Sequence, residues 1–334
     1  MRNIIKLLVL LIFQTTFAHE IYLTSGSTEV DLQNAIDDST IGTIYIRTNI
    51  QISTTITIAT DKVLNFSTKN KLIIENTGNL IFQNVYINAG RYQIIDGNLN
   101  VTGKLSNNIT YPEWFGARIN DENNFTNEAI QKAIDVSNRQ VSFVNAIYYL
   151  NDRILVNNCD LELNNAKLIF RVENQNQCVK MQDNSSISNG IISVEQIGSS
   201  IGYNSGQYRC PITIGDYGSG AGFKNISLKS LTIKTDRPNG NGIMVTGDSN
   251  EIDIQNIIFP NNDKMGRAIL IHWGGVSSID DDNPDDNNTL SNNLTTHPYN
   301  IKISNINIGI MTNNNIDGII VVSGAYNVKV SNVF

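Results

Sequence analysis

The sequence predicts an all-β chain wound as a right-handed parallel β-helix with short cap helices at its N-terminal side. Three observations predict it. Four segments near the C-terminal end repeat one another: KNISLKS from Lys224, NEIDIQN from Asn250, YNIKISN from Tyr299 and YNVKVSN from Tyr326. Each carries branched apolar residues at its third and fifth places, from Ile226 and Leu228 to Val328 and Val330, the period of a strand with one buried face. A second strand recurs between them, NGIMVTG from Asn241, RAILIHWG from Arg267 and DGIIVVSG from Asp317. In that strand Ile243/Val245, Ile269/Ile271 and Ile319/Val321 are expected to face inward. Two short strands per unit, with no helix, cannot bury an apolar face alone, so the units must stack.

An Asn or Ser closes each copy, at Ser230, Asn256, Asn305 and Asn332. Asn tolerates the left-handed backbone of a tight corner and can stack in ladders. The copies recur every 26–27 residues except between Asn250 and Tyr299, where the gap of 49 holds a long insertion, Gly274–Pro298.

The chain has 334 residues and a net charge of −7, too acidic for a general nucleic-acid binder. Residues 1–19 read as a signal peptide: Arg2 and Lys6 precede the apolar run Leu7–Phe13, and Thr16-Phe17-Ala18 supplies small residues for cleavage. That run is too short to span a bilayer, so the expectation is a secreted or cell-surface protein without a membrane span. Cys159, Cys178 and Cys210 fit no zinc spacing and are expected to be buried thiols, or one disulfide and a free thiol.

Residues 20–110 form a small β-rich, β-helical module. STEVDLQNAIDDS from Ser27 reads as a cap helix over Thr28–Asp38, with Val30, Ala35 and Ile36 at helical spacing, followed by short alternating strands. LQNAID at Leu32–Asp37 returns as IQKAID at Ile130–Asp135, and each precedes a β-rich run. Two caps imply two modules, with the boundary near Asn107–Pro112 and the larger coil over 111–334. The strand at Phe334 ends without a cap, so the sequence is expected to be truncated at the C-terminus.

Phe115-Gly116-Ala117, then the helix Ala129–Asp135, then VSFVNAIYYLND resembles the opening of the pectate-lyase-like β-helix superfamily. Two departures stand out. Arg118-Ile119-Asn120-Asp121 replaces the usual Lys-Gly-Asp-Gly loop, and Asn145-Ala146-Ile147-Tyr148 replaces a Pro-x-Gly-x-Tyr turn. The resemblance implies a protein that binds and cleaves an extracellular polysaccharide, as a lyase or a glycoside hydrolase. The same superfamily includes tailspikes and adhesins, so a non-catalytic carbohydrate-binding β-helix is the alternative.

Aligning the second strand at its Gly/Ala expects Asn241, Arg267 and Asp317 in one outward ladder and Thr246, His272 and Val322 in another. His272 is the candidate acid or base and Arg267 the positive charge for an enolate-like intermediate. They share a face only if the Gly266-Arg267 corner bends the strand. Trp273 is expected to stack on a sugar, with Asn241 and the loop residue Tyr217 as further contacts. A hydrolase needs two carboxyls instead, for which Asp236 and Asp317 are the candidates. In the insertion, Asp280, Asp282 and Asp285 offer the oxygen ligands that calcium prefers.

Overall fold

The structure, a computed structural model, describes residues 19–67, 69–173, 177–197, 210–216, 220–237, 240–262, 264–273, 297–311 and 318–334. Tyr217, Asp280, Asp282, Asp285 and Asp317 lie outside the described residues, as do residues 1–18 of the expected leader. The nineteenth, His19, opens the first strand, His19–Leu23.

Strands dominate, and every strand pair is parallel. One long sheet runs through Ile109–Thr110, Gln140–Ser142, Asp160–Glu162, Ser185–Gln196, Lys224–Thr235, Asn250–Phe259, Tyr299–Ile308 and Tyr326–Val333. A second runs through Ile154–Val156, Gln177–Met181, Cys210–Ile214, Asn241–Val245, Arg267–His272 and Ile320–Ser323. The chain visits the two in turn, so the crossover that a parallel pair requires is itself a strand of the other sheet. The repeats stack in register: Ile226 pairs with Ile252, Ile252 with Ile301, and Ile301 with Val328.

Each coil of the C-terminal repeat has the expected two strands, but the longer one turns a corner and so covers two faces. The long-sheet strands bend where the repeats close, with positive φ at Asn189 (61°), Ser230 (54°), Asn256 (55°), Asn305 (57°) and Asn332 (52°). The bend resets the alternation. Ile226 and Leu228 point inward before it, and Leu231 and Ile233 after it, a step of three residues where a strand steps by two. Ile257 and Phe259 repeat this after Ile252 and Ile254, so the segments beyond each Asn form a third face.

Asparagine suits these corners for two reasons. It adopts the left-handed region at low cost, and its amide both donates and accepts, so a column of identical residues can bond to itself. Asn332 Nδ2 donates to Asn305 Oδ1 (2.9 Å), and Asn305 Nδ2 to Asn256 Oδ1 (3.0 Å). At the strand entrances Asn225 donates to Asn184, and Asn184 to Asn158.

The N-terminal strands, up to Val101–Leu105, pair among themselves. The helix Glu29–Asp37 lies at their start, with Thr28 and Asp31 in a capping box. Leu32, Ala35 and Ile36 face the core, whereas Val30 is 66 % exposed, because helical spacing puts it on the opposite side. Burial pushes the Glu29 carboxyl up, but hydrogen bonds from Ser53 and Thr54 outweigh it and hold its pKa at about 2.

The second helix, Asn127–Val136, buries Ala129, Ile130, Ala133, Ile134 and Val136. Contacts tie this region to the preceding strands: Lys132 Nζ donates to the Val101 carbonyl (2.9 Å), and Trp114 Nε1 to that of Gly90 (2.8 Å). One apolar cluster extends from Leu23 to Ile306.

Candidate functional site

The second sheet carries the expected site, but its register differs by one residue at the last coil. Asn241 pairs with Arg267 as expected. Ile269 then pairs with Ile320, Ile271 with Val322 and His272 with Ser323, so Val322 belongs to the Ile271 ladder and not to that of His272. Ile320, rather than Ile319, packs against the main core. Four consecutive apolar residues, Ile319 to Val322, leave the alternation without a phase. Val321 also has an apolar neighbourhood outside, against Cys210, Met244 and Leu270.

The face read as a groove is buried along this outer cluster. Cys210, Met244 and Leu270 are at most 3 % exposed, and Asn241 (0 %), Arg267 (7 %) and Trp273 (6 %) are buried beside them. Arg267 and His272 bound the same strand, five residues apart, which places their backbones roughly 16 Å from each other. The corner at Gly266-Arg267 does not bring them together on one sugar linkage. The expected site divides into the two ends of this sheet.

At the exit end His272 Nδ1 lies 2.8 Å from the Trp273 carbonyl, and the two rings stack at 5.5 Å and 25°. Thr246 Oγ1 donates to the same carbonyl (3.1 Å). Buried His297 bonds through Nδ1 to the Gly324 carbonyl. A cleft of about 380 Å³ borders this end, but its carboxylates serve the turns. Asp183 accepts from the Lys224 amide (2.8 Å) and Asp248 from that of Gly222 (2.6 Å).

The entry end is open. A cleft of about 340 Å³ is lined by Ser193, Glu195, Lys234, Asp236, Asn262 and Lys264 among others. Val194 pairs with Thr235, so the next residues, Glu195 and Asp236, follow on adjacent coils and leave the core on the same side. Glu195 Oε2 is 2.9 Å from Arg171 Nε, and Arg171 also reaches Glu122 (3.1 Å) while lying 4.6 Å over Tyr149. Asp236 Oδ1 accepts the Gln196 amide (2.6 Å). Behind them Arg237 is 1 % exposed, and burial draws its guanidinium down.

Sequence reasoning selected Asp236 and missed Glu195, Lys234 and Lys264. Extending the repeat one coil backwards, NGIISVE over SLTIKTD, sets Glu195 above Asp236 and would have found the pair. The three cysteines are buried and form no disulfide, and burial pushes Cys159 up to about 11 and Cys178 and Cys210 to about 12, which leaves inert thiols. Among the described residues no group of three or more His, Cys, Asp or Glu could hold a metal ion, and no helix is long and apolar enough to cross a membrane.

No family model and no curated protein matches the chain. Among solved structures it is similar to the catalytic domain of GH87 alpha-1,3-glucanase in complex with nigerose. The match has 12 % identity over 95 % of this chain and 69 % of that one, with a TM-score of 0.30. A likeness that loose fixes neither fold nor activity.

Proposed function

We propose that the chain is an exported, right-handed parallel β-helix of two modules, 20–110 and 111–334, that binds an extracellular polysaccharide and hydrolyses it at the entry cleft. The carrying observation is that Glu195 and Asp236 line one open cleft on adjacent coils. Adjacent parallel strands lie about 4.8 Å apart, close to the roughly 5–5.5 Å between the carboxyls of a retaining glycosidase. One carboxyl then attacks the anomeric carbon while the other protonates the leaving oxygen and later activates water. Lys234 and Lys264 supply donors for sugar hydroxyls or for a uronate carboxylate. His272 and Trp273 serve the coil at the far end of the strand.

One observation favours a second reading, a non-catalytic carbohydrate-binding β-helix: Glu195 is already engaged by Arg171, which also bridges to Glu122. Incubating the purified protein with uronate-containing and neutral polysaccharides separates the readings. New reducing ends without unsaturated ends are expected. Unsaturated ends would indicate a lyase and contradict the acid-pair chemistry; binding without either product would favour the second reading.

A further inference from the structure

The first sheet of the N-terminal strands carries an outward track of tyrosines that the proposed chemistry does not use. Tyr22 pairs with Tyr45, Tyr45 with Asn65, and Asn65 with Asn88, while Val63 beside them pairs with Tyr86. Tyr22 and Tyr86 are 43 % and 48 % exposed. Contacts along the track align its rings: the Tyr22 and Tyr45 rings stack at 4.5 Å and 17°, and both hydroxyls donate to the Glu20 carboxylate (3.0 and 3.2 Å). It runs into a groove of about 250 Å³ lined by Tyr86, Asn88, Asn108, Ile109, Tyr111 and neighbouring residues.

Two exposed arginines flank the track. Arg47 lies 4.2 Å over the Tyr22 ring, and Arg91 lies 4.2 Å over Tyr111 at the groove. Each guanidinium so placed keeps an edge for an anion, and its planar fork matches a carboxylate. They follow strands two coils apart, which spaces them on the order of 10 Å along the track. Rings and amides suit a chain with apolar ring faces and polar edges. A protein carrying a net charge of −7 repels a dense polyanion, whereas two separated cations match single carboxylates spaced along a chain. We propose that Tyr22, Tyr45, Tyr86 and Tyr111, with Arg47 and Arg91, form a docking site for a uronate-bearing sugar chain, separate from the Glu195–Asp236 cleft.

This site stands independently of the hydrolytic reading. Titration calorimetry of the full chain with oligogalacturonate, a neutral gluco-oligosaccharide of equal length and a sulfated oligosaccharide tests it. The uronate chain is expected to bind best, and R47Q/R91Q to weaken it by about tenfold or more. E195Q/D236N should retain that binding even if no cleavage is ever found. Thermal unfolding checks R91Q, because Arg91 also donates to Ser142 (3.0 Å), and R47Q alone serves if the double variant is unstable. The proposal is overturned by absence of uronate binding or by unchanged affinity in R47Q. It is equally overturned by preference for the sulfated or neutral chain, or by loss of uronate binding in E195Q/D236N alone.

Discussion

The two ends of the second sheet are built from the same repeat and differ in how their carboxylates are spaced. At the exit end, polar side chains are turned back on the coil: Thr246 and His272 both contact the Trp273 carbonyl, His297 meets the Gly324 carbonyl, and Asp183 and Asp248 hold backbone amides. At the entry end, Glu195 and Asp236 line an open cleft beside two lysines. A histidine next to a tryptophan is the more conspicuous sequence signal. Acid-pair chemistry, however, needs two carboxyls close together. Asp183 and Asp248 stand two coils apart, whereas Glu195 and Asp236 stand on adjacent coils, although Asp236 also holds the Gln196 backbone amide and Glu195 pairs with Arg171.

The largest expected effect separates the ends by activity. E195Q and D236N should each lower kcat/KM by about 10²–10⁴-fold, the range for removing one acid–base partner, as read from reducing-end release. H272A should leave the same assay within about threefold. The next effect concerns packing at the exit end. Gly215 has φ +92°, and a Cβ there would sit 1.9 Å from the Thr246 carbonyl oxygen, so G215A should cost at least about 2 kcal/mol in denaturant unfolding. A smaller effect probes the corner between the faces. N256A must hold an alanine at φ 55° and loses the ladder bond from Asn305, for about 1–2 kcal/mol, whereas N256G keeps the backbone and should cost less. Equal costs would mean that the bond, not the backbone, carries the corner. Smallest of all, H272A should change stability by less than about 1 kcal/mol, since its ring is half-buried on the surface of Trp273.

Much of the coil was legible because burial repeats itself. Branched residues two apart, closed by Asn, recur at nearly constant spacing, and the ladder from Ile226 to Val328 follows from that alone. The third face was not read because the bend breaks the alternation: Leu228 to Leu231 is a step of three, which looks like the end of a strand. The slip at Ile319–Val322 has the opposite cause, apolar residues on both sides of one strand. Asp236 was legible as a carboxylate past a strand. Its partner was missed by counting, because Glu195 lies 41 residues upstream rather than the usual 26–27, and only aligning the strand motifs themselves recovers it. Spatial neighbours are made by stacking, so a change in coil length hides them from any fixed period.

The most direct test is to see where substrate lies. A crystal structure of the D236N variant soaked with the shortest oligosaccharide that the native chain cleaves would locate the scissile linkage. The account predicts a glycosidic oxygen within hydrogen-bond reach of Glu195 or the substituted position 236, with sugar hydroxyls on Lys234 or Lys264. A sugar bound instead against His272 and Trp273, with the entry cleft empty, would contradict it.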